Sequence, residues 1–301
     1  MKRVIKIVVT CLFLLYFGYE GFRAYERRNE GFQVGKICSS EKEGLQYEIS
    51  VKEVDIQQVN AILQQPFYYL GHGFQCYAFL SGDGEYVLKF FRFQRMRLPE
   101  WSYSFSSFPF VKGYIAEKEE EFRVRKEDIF GGIKVGFEAA AEETGTLFVH
   151  LNKTKGLHPI TTIYDKLGQS YKLSMDQMEF MVQKRASHIQ PILRELMAQD
   201  RAEEAKKRLD QILELMVGCS KKGVKDTDNA LIRKNNLGFL KDKAIYIDSG
   251  KFVFRDDIKT KEGFQKDLVR LQPLQRWLDQ NYPELGIHFS KKKKQVIDDF
   301  S

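Results

Sequence analysis

Hydrophobic and polar positions fall into three regimes along the chain. An apolar run from Ile7 to about Gly18 comes first, with Lys2, Arg3 and Lys6 before it and Arg23, Arg27 and Arg28 after it. Short alternating runs then predict strands at Leu45–Val51, Phe67–Leu70, Tyr77–Leu80, Glu85–Phe91, Thr146–Leu151, Ile160–Tyr164 and Met178–Val182. Two helices interrupt them. Asp55 can cap the first, in which Ile56, Val59, Ile62 and Leu63 repeat at helical spacing ahead of Pro66. The second is predicted from about Ile133 to Glu143, with Gly145 as its stop.

After Val182 the period becomes helical. Ile189, Ile192, Leu193, Leu196 and Met197 form one stripe, and Ala205, Leu209, Ile212, Leu213 and Met216 a second. A third holds Phe264, Leu268, Leu271, Leu274, Trp277 and Leu278, with Pro273 making a kink or a fresh helix start. Strands first and helices second predict an α+β fold in two lobes: an N-terminal antiparallel sheet with one main helix, then a mostly helical C-terminal lobe. The boundaries drawn from the pattern are 1–30 for an anchor and juxtamembrane segment, 40–183 and 184–285 for the lobes, and 286–301 for a basic tail.

Composition changes this picture little. The chain has 301 residues, a formal charge of +7 and four cysteines. That is enough chain to bury a core in each lobe. Cys11, Cys38, Cys76 and Cys219 are too scattered for a zinc site or a disulfide framework, so they are expected as free thiols. His72, His150, His158, His188 and His288 have no ligand-like spacing and are assigned no chemistry. The run Lys291 to Lys294 is expected to be a solvated tail, and there is no specific nucleic-acid signal. The first apolar run reaches spanning length if Val4, Ile5 and the residues to Phe22 extend it while Lys6 snorkels. No small-residue cleavage site follows, so the pattern predicts an uncleaved single-pass anchor. Basic residues on both sides leave its orientation open.

The stretch "YYLGHGFQCYAFLSGDGEYVLKFF", Tyr68 to Phe91, contains candidate chemistry. Gly82 and Gly84 are explained by a hairpin turn. Gly71 and Gly73 would serve a turn or bulge unless they act with other parts. Phosphoryl transfer needs such parts: amides that approach phosphate, a lysine on an adjoining strand, a helix acid to hold it, a base for the acceptor hydroxyl, and metal ligands. In that order the chain offers Gly71 and Gly73, Lys89, Glu138 or Glu142, Asp226 or Asp228, Asn235 beside Asn236, and Asp248 at the end of "AIYI".

These residues resemble the motifs of the protein-kinase-like superfamily, which includes protein kinases and small antibiotic and sugar phosphotransferases. "LGHGFQCYAF" resembles the glycine-rich loop, "YVLKFF" the lysine strand, "EFMVQKRA" the hinge and "IYIDSG" the strand leading to D-F-G. The likeness covers about residues 65 to 280. It implies ATP and Mg2+ as ligands, with Gly71, Gly73, Lys89 and Glu138 on the nucleotide, Asn235 and Asp248 on the metal, and Asp226 or Asp228 as base. The departures are Cys76 at the third glycine, no H-R-D, and seven rather than five residues from Asp228 to Asn235. Three readings follow: a membrane-anchored kinase-like protein that binds Mg-ATP and acts on an unidentified hydroxyl acceptor, an inactive pseudokinase-type scaffold, and a non-kinase membrane-associated interaction protein. Use of ATP would require the folded part to be on a cytosolic side.

Overall fold

The computed structural model describes residues 2–39, 47, 49, 53–228, 231 and 236–300. Helix α1 (Lys2–Arg28) exposes Ile5, Ile7, Val9 and the run from Leu12 to Phe17. Its stretch Ile5–Arg28 is, among the described residues, the one helix long and apolar enough to cross a membrane. The chain leaves it through a tight turn at Gly31 (φ +70°), whose N–H returns to the Glu26 carbonyl at 2.7 Å. Phe32 and Ile37 then enter the core of the first half, ahead of the boundary drawn at residue 40.

That core lies under a seven-stranded sheet. Helix α2 (Glu53–Leu63) covers one face with Val59, Ile62 and Leu63. Asp55 lies inside its first turn rather than at its cap. The strands are β1 (Phe67–His72), β2 (Cys76–Ser81), β3 (Tyr86–Phe91), β4 (Thr146–His150), β5 (Ile160–Tyr164), β6 (Ser170–Ser174) and β7 (Phe180–Lys184), in the order β4-β7-β3-β2-β1-β5-β6. All neighbours are antiparallel except β1 and β5, so the expected antiparallel sheet has one parallel pair. The run predicted at Leu45–Val51 falls largely outside the described residues.

Between β3 and β4 stand α3 (Glu100–Tyr103) and α4 (Pro109–Thr144), which ends at the left-handed Gly145 (φ +63°). The stop is the expected one, but the helix starts far earlier than Ile133. Its charged segment is helical because Lys118–Glu121, Arg123–Glu120, Arg123–Glu127 and Arg125–Glu121 pair one turn apart. Ile129, Phe130 and Ile133 pack on the sheet's second face with Phe91, Val149 and Met181.

The second half contains α5 (Ile189–Ala198), α6 (Ala202–Lys222), α7 (Lys261–Asp267), α8 (Gln272–Asn281) and α9 (Pro283–Asp298). Short strands β8 (Ser187–His188), β9 (Val224–Asp226), β10 (Leu237–Leu240), β11 (Lys243–Tyr246) and β12 (Phe252–Phe254) accompany them. Pro273 opens α8, the fresh start rather than a kink. The expected solvated tail is instead α9: Leu285 and Phe289 are buried, and Phe300 stacks on Phe264 at 4.2 Å. The fold is thus α+β, with a curled sheet, a helical C-terminal part and an apolar N-terminal helix.

Two glycines on α4 join the halves. An ideal Cβ on Gly132 would lie 2.7 Å from the Gly250 carbonyl carbon, and one on Gly136 2.7 Å from Ser249 Cβ. The helix therefore rests directly on the segment that follows Asp248. Gly132→Ala must displace backbone and is expected to lower stability by roughly 1–3 kcal/mol. Gly131→Ala, with nothing within 4 Å of its Cβ, is expected to raise it by up to about 1 kcal/mol through helix propensity alone. Paired urea titrations read both.

Candidate functional site

The alternation of β3 decides where Lys89 points. Leu88 and Phe90 enter the core shared with α2, so Lys89 and Phe91 face α4 and the second half. Lys89 lies between Ala78 of β2 and Met181 of β7. Its Nζ donates to the Ile247 carbonyl at 2.6 Å, which ties the sheet to the residue just before Asp248. Burial lowers the Lys89 pKa, and the Asp248 charge acts against that shift. The two residues expected to share a cleft therefore meet at one seam.

On the far side of the seam, Ile247 N donates to the Asn236 carbonyl at 2.7 Å, and Asn236 Nδ2 donates to Asp228 Oδ2 at 3.2 Å. Asp248 Oδ1 accepts from Gly250 N at 3.0 Å in an Asx turn. Asn235 lies outside the described residues. Its neighbour Asn236 makes these contacts, directly ahead of β10.

The glycine turn is firmly tied. Gly71 (φ +154°) adjoins the register break in β1, a conformation a side chain rarely adopts. Gly73 N donates to the Cys76 carbonyl at 2.9 Å, and the Gly73 carbonyl accepts from Arg92 Nη1 at 2.6 Å. Arg95 lies 4.5 Å over the Phe74 ring. Two guanidinium groups thus border the turn, which the sequence motif did not include. The turn also reaches the Asp248 segment, since a Cβ on Gly250 would be 2.0 Å from Gln75 Oε1.

Three sequence candidates do not join this group. Glu138 is half-exposed and pairs with Lys134 at 3.7 Å, one helical turn away, so it does not hold Lys89. Glu142 is well exposed and pairs with Lys243 at 3.1 Å. The reason is helical phase: Gly132 and Gly136 face the seam, which turns Glu138 outward. Among the described residues, Lys89 has no carboxylate ion pair. Asp226 is 3% exposed and accepts from Arg270 Nη2 at 2.5 Å, with Arg270 also close to Asp267 and donating to the Asp228 carbonyl at 3.0 Å. Burial pushes the Asp226 carboxyl up to about 6 while Arg270 pulls the other way, so the group is ionised at neutral pH.

Arg270 was missed in the sequence, although an arginine inside the apolar turn "LVRL" is the signal that could have found it. Gln183, buried in β7, was missed too. Its Nε2 donates to the Tyr246 carbonyl at 3.2 Å and binds β7 to β11. A shallow, charged depression of about 560 Å3, lined by Arg201, Glu203, Lys207, Arg208 and Asp242 among others, lies apart from Lys89 and Asp248. Its lining is solvated side chains of α6 and the β10–β11 turn, so it brings no convergent chemistry.

Two histidines also meet, without ligand geometry. His150 and His158 lie 4.8 Å apart by ring centroid; His150 Nδ1 bonds the Met178 carbonyl and His158 Nδ1 bonds Asn60 Oδ1. Burial, then His150, pushes His158 down to about 4, and burial lowers His150 as well.

No protein-family model matches the chain, and no curated protein matches it. A solved medium-resolution structure of the bifunctional kinase-methyltransferase WbdD is similar at 16% identity and a TM-score of 0.36, over 75% of this chain and 47% of that one. The chain therefore spans about half the length of that protein. At that identity and score the likeness bears on neither ligand nor reaction.

Two outcomes follow from the buried charges. Neutral imidazole is held in the fold, so the unfolded chain binds protons first as pH falls from about 6.5, and stability drops until about pH 4. His158→Phe is expected to remove roughly 2–3 kcal/mol of that pH-dependent loss, read by urea unfolding at the two ends of the window. Arg270→Met strands Asp226 and leaves Asp267 with Lys225 alone, 3.8 Å away, and is expected to cost about 3–5 kcal/mol at neutral pH. The deficit should shrink toward pH 5, because protonation relieves two buried carboxylates whose folded-state pKa values are already raised.

Proposed function

We propose that this chain is a membrane-anchored kinase-like protein that binds Mg-ATP at the seam between its halves and transfers the γ-phosphoryl group to a hydroxyl. The observation that carries the reading is the approach of Lys89 to Ile247 and Asp248 from the opposite half of the molecule. The order of the parts supports it: turn, lysine strand, long helix, then Asp228, Asn236 and Asp248 on the other side. α1 supplies the anchor.

Each residue then has a physical task. Lys89 would neutralise the α and β phosphates, and Arg92 and Arg95 would add positive potential beside the glycine turn. Asp248 and Asn236 offer carboxylate and amide oxygens, the hard donors that suit Mg2+ alongside phosphate oxygens and water. When bound, the ion would neutralise phosphate charge. Asp228, hydrogen-bonded to Asn236, is the aspartate that would orient the acceptor hydroxyl and take its proton. Asp226 instead anchors the loop through Arg270.

A second reading, nucleotide binding without transfer, is favoured by one observation. Lys89 is held by a backbone carbonyl, while Glu138 faces away from it. Kinase catalysis needs the lysine–glutamate pair in place.

Full-length protein in detergent is expected to gain stability with Mg-ATP, by about 2.7 kcal/mol at a hundred times the dissociation constant. Lys89→Met and Asp248→Asn should each abolish the gain. Asp228→Asn should keep it and lose phosphate release or transfer. No gain at millimolar nucleotide would overturn both readings, and a gain without turnover in the native protein selects the second.

A further inference from the structure

Leu98 and Ile115 are both buried and pin the ends of the connection between β3 and the body of α4. Between them the chain exposes aromatic rings: Trp101 is 68% exposed and Phe110 79%, and Tyr103, Phe105, Phe108 and Tyr114 are also open. Such a concentration of apolar surface on one short segment marks an interaction site. Neither the nucleotide seam nor either half's core uses these rings.

Its position limits what can cover it. Lys36 Nζ bonds Glu26 Oε1 at 2.9 Å, so residues 35 and 36 lie against the last turn of α1. Arg97 Nη2 donates to the Gly35 carbonyl at 2.9 Å. From Arg97 the chain reaches Trp101 in four steps, at most about 14 Å. Arg97 is thus tied to the segment that follows the helix proposed as the anchor, and the aromatic segment begins four residues further on. Its composition suits that place, because tryptophan and tyrosine collect at the headgroup level and phenylalanine can sink beneath it. Of the acidic residues that follow on α4, Glu120 pairs with Arg123 and Glu121 with Lys118 and Arg125, while Glu119 hydrogen-bonds the Tyr103 hydroxyl.

We infer that residues 101–114 insert into the bilayer interface next to α1, giving the sheet-bearing half a second, shallow membrane contact whose partner is lipid. The inference rests on the anchoring reading. A seated segment would hold the start of α4, and with it Gly132 and Gly136 on the Asp248 segment, at a fixed height over the bilayer.

The chain has two tryptophans, and Trp277 lies half-buried against Tyr282 in the helical half. Trp277→Phe leaves Trp101 as the only reporter. Full-length protein is reconstituted into phosphatidylcholine–phosphatidylglycerol vesicles with bromine-labelled acyl chains, and flotation after an alkaline wash reports the anchor separately. The expected result is Trp101 emission shifted to the blue and roughly halved by bromine close to the headgroups. Phe105→Ser/Phe108→Ser/Phe110→Ser in the same background should float equally well and lose at least half of the quenching. Floating protein whose Trp101 is unquenched would overturn the inference and leave the anchor standing. Blue-shifted but unquenched emission would overturn it in favour of a protein partner or a second copy. Protein that fails to float would overturn the anchoring reading itself.

Discussion

The close approach of α4 to the loop after β11 is the contact on which the arrangement depends. Gly132 and Gly136 remove the side chains that would otherwise separate helix from loop, so Gly132 meets the Gly250 backbone and Gly136 the Ser249 side chain. The same helix fills the sheet's second face with Ile129, Phe130 and Ile133 and touches the helical core through Ala140. α4, which kinks at Ala140 (φ −140°, ψ 34°), therefore spans from the sheet face that bears Lys89 to the loop that bears Asp248. The hydrogen bond from Lys89 to Ile247 crosses the same seam.

Electrostatics inside the second half follow a different logic. Asp226, Arg270 and Asp267 form a buried cluster in which one guanidinium serves two carboxylates. A cluster of this kind adds little net stability, but losing one member is costly. Its position explains why it is there. The Asp228 carbonyl is bound by the same arginine, so the buried charges hold the loop from which Asp228 faces Asn236.

The strands of the first half were legible because their alternation matches a sheet buried on one face or both, and even Lys89's orientation follows from its apolar neighbours. β6 was not legible, because Ser170 to Ser174 is mostly polar and forms the sheet edge. The N-terminal reach of α4 was hidden because its segment has charge pairing in place of an apolar stripe. α9 was misread for a related reason: four lysines masked the buried Leu285 and Phe289 on its other face. In the candidate site, Asp248 could be singled out from the strand it ends. That Asp226 is taken up by an ion pair was not legible, because its partner Arg270 lies some forty residues downstream. Glu138 fails by helical phase, which only the glycine contact reveals.

The turn after α1 has a mechanical meaning. Gly31 accepts from Tyr77 through its carbonyl, Asn29 donates to Asp165 at 2.9 Å, and the Phe32 ring stacks edge-on against Tyr77, Phe79 and Tyr171. A flexible ten-residue tether would let a domain roam by roughly 17 Å. Here the helix is bolted to the sheet with no slack, as a post rather than a leash. The direction in which α1 leaves the molecule is therefore set by the sheet itself, and tilting one tilts the other.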